Sequence, residues 1–246
     1  MDLVSVIIPY YKKKKFIVKS VESVINQTYK NIEIIIIYDN ESNIELDYIK
    51  NLENKDLRIK LIINKKNIGA GESRNKGIKF SKGKYIAFLD AADIWVKNKI
   101  EKQLFFMQKD NLTVSHSSYK IVDEDDNLIG KRKARDFYNI KDIIKSCDIG
   151  LSSVMLKKSI ISKTIKFANL KTKEDFILWL KILKKGIQIH AIDNELMIWR
   201  KTKNSLSSST FQKLIDAYKV YHNYMNFNFL KSCYLVLCLS INFLRK

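Results

Sequence analysis

Two aspartates at the end of a short apolar run are the residues best suited to chemistry in this sequence. Asp90 directly follows the run Tyr85–Leu89, and Asp93 lies three residues further on. The run is too short for a helix and contains isoleucine and aromatic residues, which predicts a buried strand. Because ligands of an open parallel sheet bind beyond the carboxyl ends of its strands, Asp90 and Asp93 are candidate ligands for the Mg²⁺ or Mn²⁺ of a nucleotide diphosphate. Alternatively, Asp90 caps the next helix and Asp93 is simply solvated.

A repeating strand and helix pattern upstream would position these aspartates. Apolar runs predict strands that begin near residues 4, 32, 59 and 85, so successive strands are 28, 27 and 26 residues apart. About 30 residues is the length of a strand–helix–strand unit, and three units in succession predict a doubly wound α/β sheet. We expect the first strand to end at Pro9, the only proline in the chain.

Past Trp95 the regular spacing ends and shorter elements follow. The patterns predict a helix over 100–107, a hairpin of strands over 112–122 and 128–129, a basic mobile segment over 131–135, a short strand over 151–156, a helix over 174–183 that Gly186 stops, an extended segment over 187–198 and a helix from 211.

The bulk composition limits the class of function. Hydrophobic residues make up 46% of the chain, and Lys+Arg 45 against Asp+Glu 26 gives a net charge of +19. This charge indicates an anionic partner such as a nucleotide, an anionic membrane or nucleic acid. The lysines are scattered, which argues against nucleic acid, and no G-x-G-x-x-G follows the first strand, which argues against a dinucleotide-dependent dehydrogenase. Three cysteines without paired spacing and the absence of a signal peptide predict free thiols and a cytoplasmic protein.

Six segments resemble, in their order and spacing, the family 2 glycosyltransferases with a GT-A fold. The segments are Val4–Tyr11, Gln27–Ser42, Asn67–Gly77, Gly83–Trp95, Glu174–Trp179 and Trp199–Ser207. The resemblance implies a Rossmann-like, mostly parallel doubly wound sheet with a C-terminal helical appendage. It divides the chain into a glycosyltransferase domain over 1–210, with a nucleotide-binding half (1–95) and an acceptor half (96–210), and a helical segment over 211–246.

The resemblance also implies a donor site for a UDP-sugar at the strand ends. Tyr11 would stack on the uracil, Asp39 would accept its imide N–H, and Arg74 would hold the base or the diphosphate. Pro9 belongs to this site because it ends the first strand, and Asp90 matches a ribose and metal contact. Without the resemblance, Tyr11 reads as a half-buried loop aromatic and Arg74 as a surface salt bridge.

The chain departs from the family pattern at the metal site. The family usually reads Leu-Asp-Ala-Asp-Asp, whereas this chain reads Leu-Asp-Ala-Ala-Asp, so Ala92 stands where a metal-binding aspartate is expected. A methyl group cannot bind Mg²⁺ or Mn²⁺, which predicts weakened metal binding. A single Asp-to-Ala change in an intact motif favours a deliberate substitution over a natural variant that uses Asp90 and Asp93 differently. Thr202 likewise stands where the family often has a histidine that serves the metal or the diphosphate.

The matching Glu174-Asp175 pair would supply the catalytic base. Inverting sugar transfer needs a carboxylate that takes the proton of the acceptor hydroxyl, and Asp175 is our candidate. The helix N-terminus beside it favours the ionised form. The alternative is an acidic pair that only caps the helix. We expect Trp179 to belong to the core, and we expect Arg200 and Lys203 either to neutralise the leaving diphosphate or to lie in a solvated basic loop.

The C-terminal segment 227–246 is rich in aromatic residues and leucine but too short in its uninterrupted part to span a membrane. It predicts either a helix that contacts an anionic membrane surface or a helix docked on protein. The whole reading is an inverting enzyme that moves a hexose or N-acetylhexosamine from a UDP-sugar to a glycan or lipid-linked acceptor, impaired by Ala92. The rival from another class is an inactive sugar-nucleotide-binding partner in a glycan assembly complex. The sequence gives no signal for an oligomeric state.

Overall fold

The fold is an α/β sandwich built on one curled sheet, seen in a computed structural model that describes residues 1–203 and 209–244. The strands are β1 (Val4–Tyr10), β2 (Ile32–Tyr38), β3 (Ile59–Ile63), β4 (Tyr85–Phe88), β5 (Ile94–Trp95), β6 (Val114–Val122), β7 (Leu128–Arg132), β8 (Met155–Lys157) and β9 (His190–Arg200). The helices are α1 (Lys14–Ile25), α2 (Leu46–Glu53), α3 (Ala70–Phe80), α4 (Lys99–Lys109), α5 (Glu174–Lys184), α6 (Thr210–Lys219) and α7 (Phe229–Leu244).

The direction of the strands changes midway across the sheet. Its order is β3-β2-β1-β4-β8-β6-β9-β5, with β7 paired to β6. The first four strands are parallel, as their spacing predicts, and β8 then joins β4 in the antiparallel sense. Strand β9 lies between β6 and β5, so the second half of the chain is built onto the edge of the first. All the loops that follow the parallel strands therefore open on the same edge of the sheet.

Helices cover both faces of the sheet, because β1 and β2 are apolar on both sides. Val4, Val6 and Ile8 of β1 pack with α1, α2 and α4 on one face. Ile7 packs with α3 and α5 on the other face. Near-continuous apolar strands of this kind are typical of a parallel sheet buried on both faces.

Three local predictions differ from the structure. Strand β1 runs through Pro9 to Tyr10, because the pairing with β4 ends at Ile7 and no ladder bond needs the missing N–H. The predicted mobile segment begins inside β7, where Lys131 forms an ion pair with Glu195 at 2.7 Å. The predicted strand over 151–156 is a 3₁₀ turn at 151–153 followed by β8.

The C-terminal helices pack on the same face as α5. Leu235 and Leu239 of α7 are buried in that core, and a π-helical turn at Val220–Tyr224 follows α6. Trp179 is fully buried, so its predicted place in the core is confirmed. Among the described residues, no helix has both the length and the apolar character needed to cross a bilayer.

Candidate functional site

The site is a crevice at the carboxyl ends of β1, β2 and β4. The amide of Asp39 donates to the carbonyl of Tyr10 at 2.9 Å, so the ends of β1 and β2 lie side by side. Tyr11 follows β1, is half-buried, and has the Nζ of Lys12 5.0 Å from its ring centre. The aromatic residue and the carboxylate predicted for a base pocket thus follow neighbouring strand ends.

Asp39 organises the loop that leads into α3. Its Oδ1 accepts hydrogen bonds from Asn64 Nδ2 at 2.8 Å and from the Ile68 amide at 2.9 Å, and its Oδ2 accepts from the Gly69 amide at 2.9 Å. Gly69 has a φ of +85°, a conformation that favours glycine. A carboxylate offers about four acceptor positions, so these donors leave room for one more. The contact with a uracil N–H stays a prediction.

Arg74 joins the two halves of the protein across the crevice. One terminal nitrogen donates to Asp90 Oδ1 at 2.7 Å and the other to Glu174 Oε1 at 2.6 Å, while the arginine is only 4% exposed. Its guanidinium also lies 5.4 Å from the ring centre of Phe167. Both terminal nitrogens therefore bind carboxylates in this structure, and the predicted contact of Arg74 with the donor stays a prediction.

The start of α5 lies against the start of α3. A Cβ atom on Gly71 would stand 2.5 Å from the Ala168 carbonyl oxygen and 3.2 Å from Glu174 Cγ, so only glycine allows this approach without displacement. The close contact brings the Glu174-Asp175 pair to the crevice that holds Asp90. Sequence spacing alone predicts the pair but not this approach.

Burial changes the acidity of both carboxyl groups. It raises the pKa of Glu174 to about 7, although Arg74 opposes the shift. It also raises the pKa of Asp175, against the attraction of Arg74 and Lys173. Burial therefore outweighs the helix N-terminus, which was expected to favour the ionised form of Asp175. The Oδ1 of Asp175 accepts from the Phe176 amide at 2.7 Å, and no hydrogen bond to its Oδ2 occurs within residues 1–203 and 209–244.

The turn after β4 is held by Ser152. The Ser152 hydroxyl donates to Asp93 Oδ2 at 2.6 Å and accepts from the Asp90 amide at 3.0 Å. The Arg200 amide donates to Asp93 Oδ1 at 3.0 Å. Burial raises the pKa of Asp93 to about 8, against these hydrogen bonds. Asp93 is thus buried and engaged by protein donors on both oxygens, whereas the Asp90 side chain is 41% exposed.

Arg200 is a buried residue at the end of β9 whose side chain binds two neighbouring turns. Its Nε donates to the Ala92 carbonyl at 3.2 Å, and its terminal nitrogens donate to the Asp123 carbonyl at 3.0 Å and to Asp126 at 2.5 Å. Its side chain is 2% exposed, so it is not part of a solvated loop, and its contact with a diphosphate stays a prediction. Lys203 is exposed at the end of the described segment, and the rest of the matching segment Trp199–Ser207 lies outside the described residues.

Lys13 reaches the same turn from the loop after β1. Its Nζ donates to Thr202 Oγ1 at 3.0 Å. Burial lowers the pKa of the Lys13 ammonium, while the carboxylates of Glu124 and Asp90 raise it. Lys13 belongs to the basic run over 12–15, whose sequence has no period that would single out one lysine.

Comparison with known proteins identifies the family. The profile of Glycosyl transferase family 2 matches residues 5–166. The chain is 39% identical over 215 residues to WfaP of Escherichia coli, named a UDP-Glc:alpha-D-GlcNAc-diphosphoundecaprenol beta-1,3-glucosyltransferase, and this covers 87% of the chain and 84% of WfaP. WfgD of the same organism carries the same activity name and is 36% identical over 215 residues, 86% of the chain and 82% of WfgD.

The chain is a family 2 glycosyltransferase. The structure of S. aureus TarS 1-349, in complex with UDP-GlcNAc, superimposes on this glycosyltransferase with a TM-score of 0.75 at 19% identity, over 96% of the chain and 70% of TarS 1-349. This likeness supports the fold, and the predicted α/β GT-A architecture is confirmed.

The metal ion that family 2 glycosyltransferases usually employ does not fit this donor set. Ala92 offers no ligand, Thr202 replaces the imidazole, and both oxygens of Asp93 accept from protein donors. Asp90 keeps one oxygen on Arg74. In the described part of the chain, no group of three or more histidine, cysteine, aspartate and glutamate side chains could hold a metal ion. The predicted pair of metal ligands, Asp90 and Asp93, therefore reduces to Asp90 alone as an accessible carboxylate.

Sequence reasoning missed the residues that support the site. Ser152, Asn64 and the pairing of Arg74 with Glu174 come from contacts across 59, 25 and 100 residues of chain. None of them carries a motif that spacing could reveal. Lys13 was missed as well, although it belongs to a basic run that directly follows the end of β1.

Proposed function

We propose that this glycosyltransferase transfers a hexose or N-acetylhexosamine from a UDP-sugar to a lipid-linked glycan acceptor, with inversion at the anomeric carbon. The observation that carries the proposal is the Arg74 bridge, which joins Asp90 on the donor side to Glu174 at the start of α5. The bridge supports a crevice with a donor site on one wall and a general base on the other.

Asp175 acts as the base. Its raised pKa brings the carboxylate nearer to the working pH, which improves proton transfer from a hydroxyl. As the acceptor oxygen bonds to the anomeric carbon, the bond from that carbon to the donor's phosphate oxygen breaks. The hydroxyl proton passes to Asp175 Oδ2, and UDP leaves with the electron pair. Attack opposite to the leaving group inverts the configuration.

Tyr11 and Asp39 bind the uracil, and Asp90 binds the ribose. Pro9 shapes this wall at the end of β1. The activity named for WfaP and WfgD supports UDP-glucose as the first donor to test and a GlcNAc-diphosphate lipid as the first acceptor. Lys203 contributes positive charge at the rim, where exposed cations attract an anionic donor.

The direct test incubates the chain with UDP-glucose and a short-chain GlcNAc-diphosphate lipid. Mass spectrometry detects the disaccharide lipid, and NMR coupling constants report the anomeric configuration. GDP-mannose serves as the mismatched donor. Product of retained configuration, or product from GDP-mannose alone, would contradict the proposal.

Ala92 keeps turnover low and metal dependence weak. Ala92→Asp supplies a carboxylate that can bind Mn²⁺, so we expect UDP release with Mn²⁺ to rise at least about tenfold. No gain would count against this account of position 92. The rival function, an inactive binding partner, is favoured by the engaged state of Asp93. It predicts UDP binding without turnover even in Ala92→Asp with Mn²⁺.

A peripheral membrane contact through α7 would bring the crevice to a lipid-linked acceptor. Its outer face carries an exposed apolar stripe at helical spacing, made of Leu230, Tyr234, Leu237, Ile241 and Leu244. No acidic residue occurs in α7. Lys145 lies beside the stripe, with its Nζ 3.2 Å from the Tyr234 hydroxyl, and Lys231 is exposed on the helix. An apolar face flanked by lysines suits an anionic bilayer surface.

Vesicle flotation tests this contact. We expect the chain to float with vesicles that contain phosphatidylglycerol and less with pure phosphatidylcholine. Leu237→Asp/Ile241→Asp should lose at least about half of the floated protein. Leu128→Asp/Ile129→Asp is the matched control, because both residues are also exposed but lie in β7. Unchanged flotation of the α7 variant would contradict a membrane contact. So would light scattering that shows a dimer of the unmodified chain and a monomer of the α7 variant.

A further inference from the structure

Lys13 reaches the end of the crevice where Ala92 and Thr202 depart from the family's metal pattern. Its Nζ contacts Thr202, the residue at the position of the family's histidine. Two residues earlier, Arg200 donates from its amide to Asp93 and from its Nε to the Ala92 carbonyl. The segment that carries Thr202 is therefore fixed against the turn that lacks its metal-binding carboxylate. The Lys13 ammonium is held at this junction.

The other two cations of this junction are bound by carboxylates, and the carboxylates of Glu124 and Asp90 also attract the Lys13 ammonium. Arg200 is bound to Asp126, and Arg74 is shared between Asp90 and Glu174. A bound diphosphate brings two or more negative charges, and a nearby cation must offset them. With alanine at position 92, the turn presents no second exposed carboxylate that would compete with a phosphate for the ammonium of Lys13.

We infer that Lys13 replaces the divalent cation of the family, so that this chain binds the diphosphate of a UDP-sugar without a metal ion. The inference rests on the proposed function, because it concerns the same donor site. Lysine suits this role, since its compact ammonium sits on a flexible four-carbon stem and can follow a phosphate oxygen. Replacement of the metal ion by Lys13 also accounts for the joint presence of Lys13, Ala92 and Thr202 at one end of the crevice.

Calorimetric titration of the full chain with UDP tests the inference. We expect dissociation constants that agree within about threefold in EDTA and in Mn²⁺. Lys13→Gln should weaken UDP binding in EDTA at least about tenfold, the effect of one lost charge-assisted contact. Lys13→Arg should keep the affinity within about threefold. Lys15→Gln is the control from the same basic run, because its Nζ faces the Phe16 ring at 5.3 Å.

The position-92 variant provides the complementary measurement. Ala92→Asp should weaken UDP binding in EDTA and recover it with Mn²⁺, because the new carboxylate both opposes Lys13 and offers a metal ligand. UDP binding that needs Mn²⁺ in the unmodified chain would overturn the inference and leave the proposed function intact. So would a Lys13→Gln variant that keeps the melting temperature and the affinity of the unmodified chain. Absence of UDP binding in both buffers would overturn the proposed function itself.

Discussion

The two walls of the crevice differ in the carboxylates that they present. The wall at the start of α5 keeps Glu174 and Asp175, and Glu174 packs against α3 and is tied to it by Arg74. The opposite wall has lost a carboxylate at Ala92 and has turned Asp93 inward to Ser152 and Arg200. In the proposed mechanism, separate elements of the fold would therefore abstract the proton and neutralise the diphosphate. One can change while the other stays in place.

The largest effect should come from the intact wall. Asp175→Asn removes the base but keeps the shape, so we expect sugar transfer to fall on the order of a thousandfold. UDP affinity should change less than about twofold. The comparison is Asp47→Asn, a carboxylate that is 89% exposed on α2. Transfer within a few-fold of the unmodified chain would remove Asp175 from the mechanism.

The bridge between the walls should give the next largest effect. Arg74→Met leaves the Glu174 carboxylate buried without its cation, and we expect the free energy of unfolding to drop by about 3 kcal/mol. Urea denaturation measures this loss. Adding Glu174→Gln should restore part of it, because the unpaired charge is then gone. Arg58→Met breaks a more exposed pair with Asp56 and should cost less. Equal losses for the two arginines would mean that the bridge is no stronger than a surface pair.

On the altered wall, Ser152→Ala should cost about 1.5 kcal/mol, because Asp93 loses a donor in a buried site. The neighbouring Ser153→Ala is the control, since its hydroxyl donates to the neutral Gly150 carbonyl at 2.6 Å. We expect the Ser153 variant to lose less stability. The reverse order would show that Asp93 does not depend on Ser152.

The smallest effect is a displaced pH profile. The base works in its ionised form, so the transfer rate must fall as the pH drops through the pKa of Asp175. Because burial raises that pKa, the fall should occur above 3.8, the ordinary value for an aspartate. Rates between pH 4 and 8 check this, with the melting temperature followed in parallel. A rate that stays flat down to pH 4 would contradict the raised pKa.

The parallel half of the fold was predictable, because four apolar runs at near-equal spacing dictate a layered sheet. The acceptor half, residues 96–210, was less predictable. Lys131 and Arg132 look mobile in a basic stretch, yet they form a strand because Glu195 on β9 supplies a partner. Residues 151–153 look like a strand but form a turn. Such segments take their conformation from contacts distant in sequence, which local patterns do not record.

The same limit applies to the site. Motif spacing singles out Asp39, Arg74, Asp90 and Asp175, and the structure gathers them around one crevice. The motif spacing does not distinguish Asp90 from Asp93, although Asp90 is accessible and Asp93 is buried in the structure. That difference depends on Arg200, whose amide reaches Asp93 across 107 residues of chain. The spacing of a motif fixes neither the direction nor the partners of its side chains.

The contact between β9 and Asp93 joins residues that are far apart in sequence, which has a consequence for biosynthesis. While the ribosome is still adding residues before 200, the first four strands can already pair, but Asp93 lacks the amide donor that β9 brings. A carboxylate in that partly folded chain would remain hydrated, and the aspartate turn would stay open. Domains assemble as their sequence emerges, at about 5–20 residues per second. We therefore expect the crevice to be completed only after β9 has left the exit tunnel.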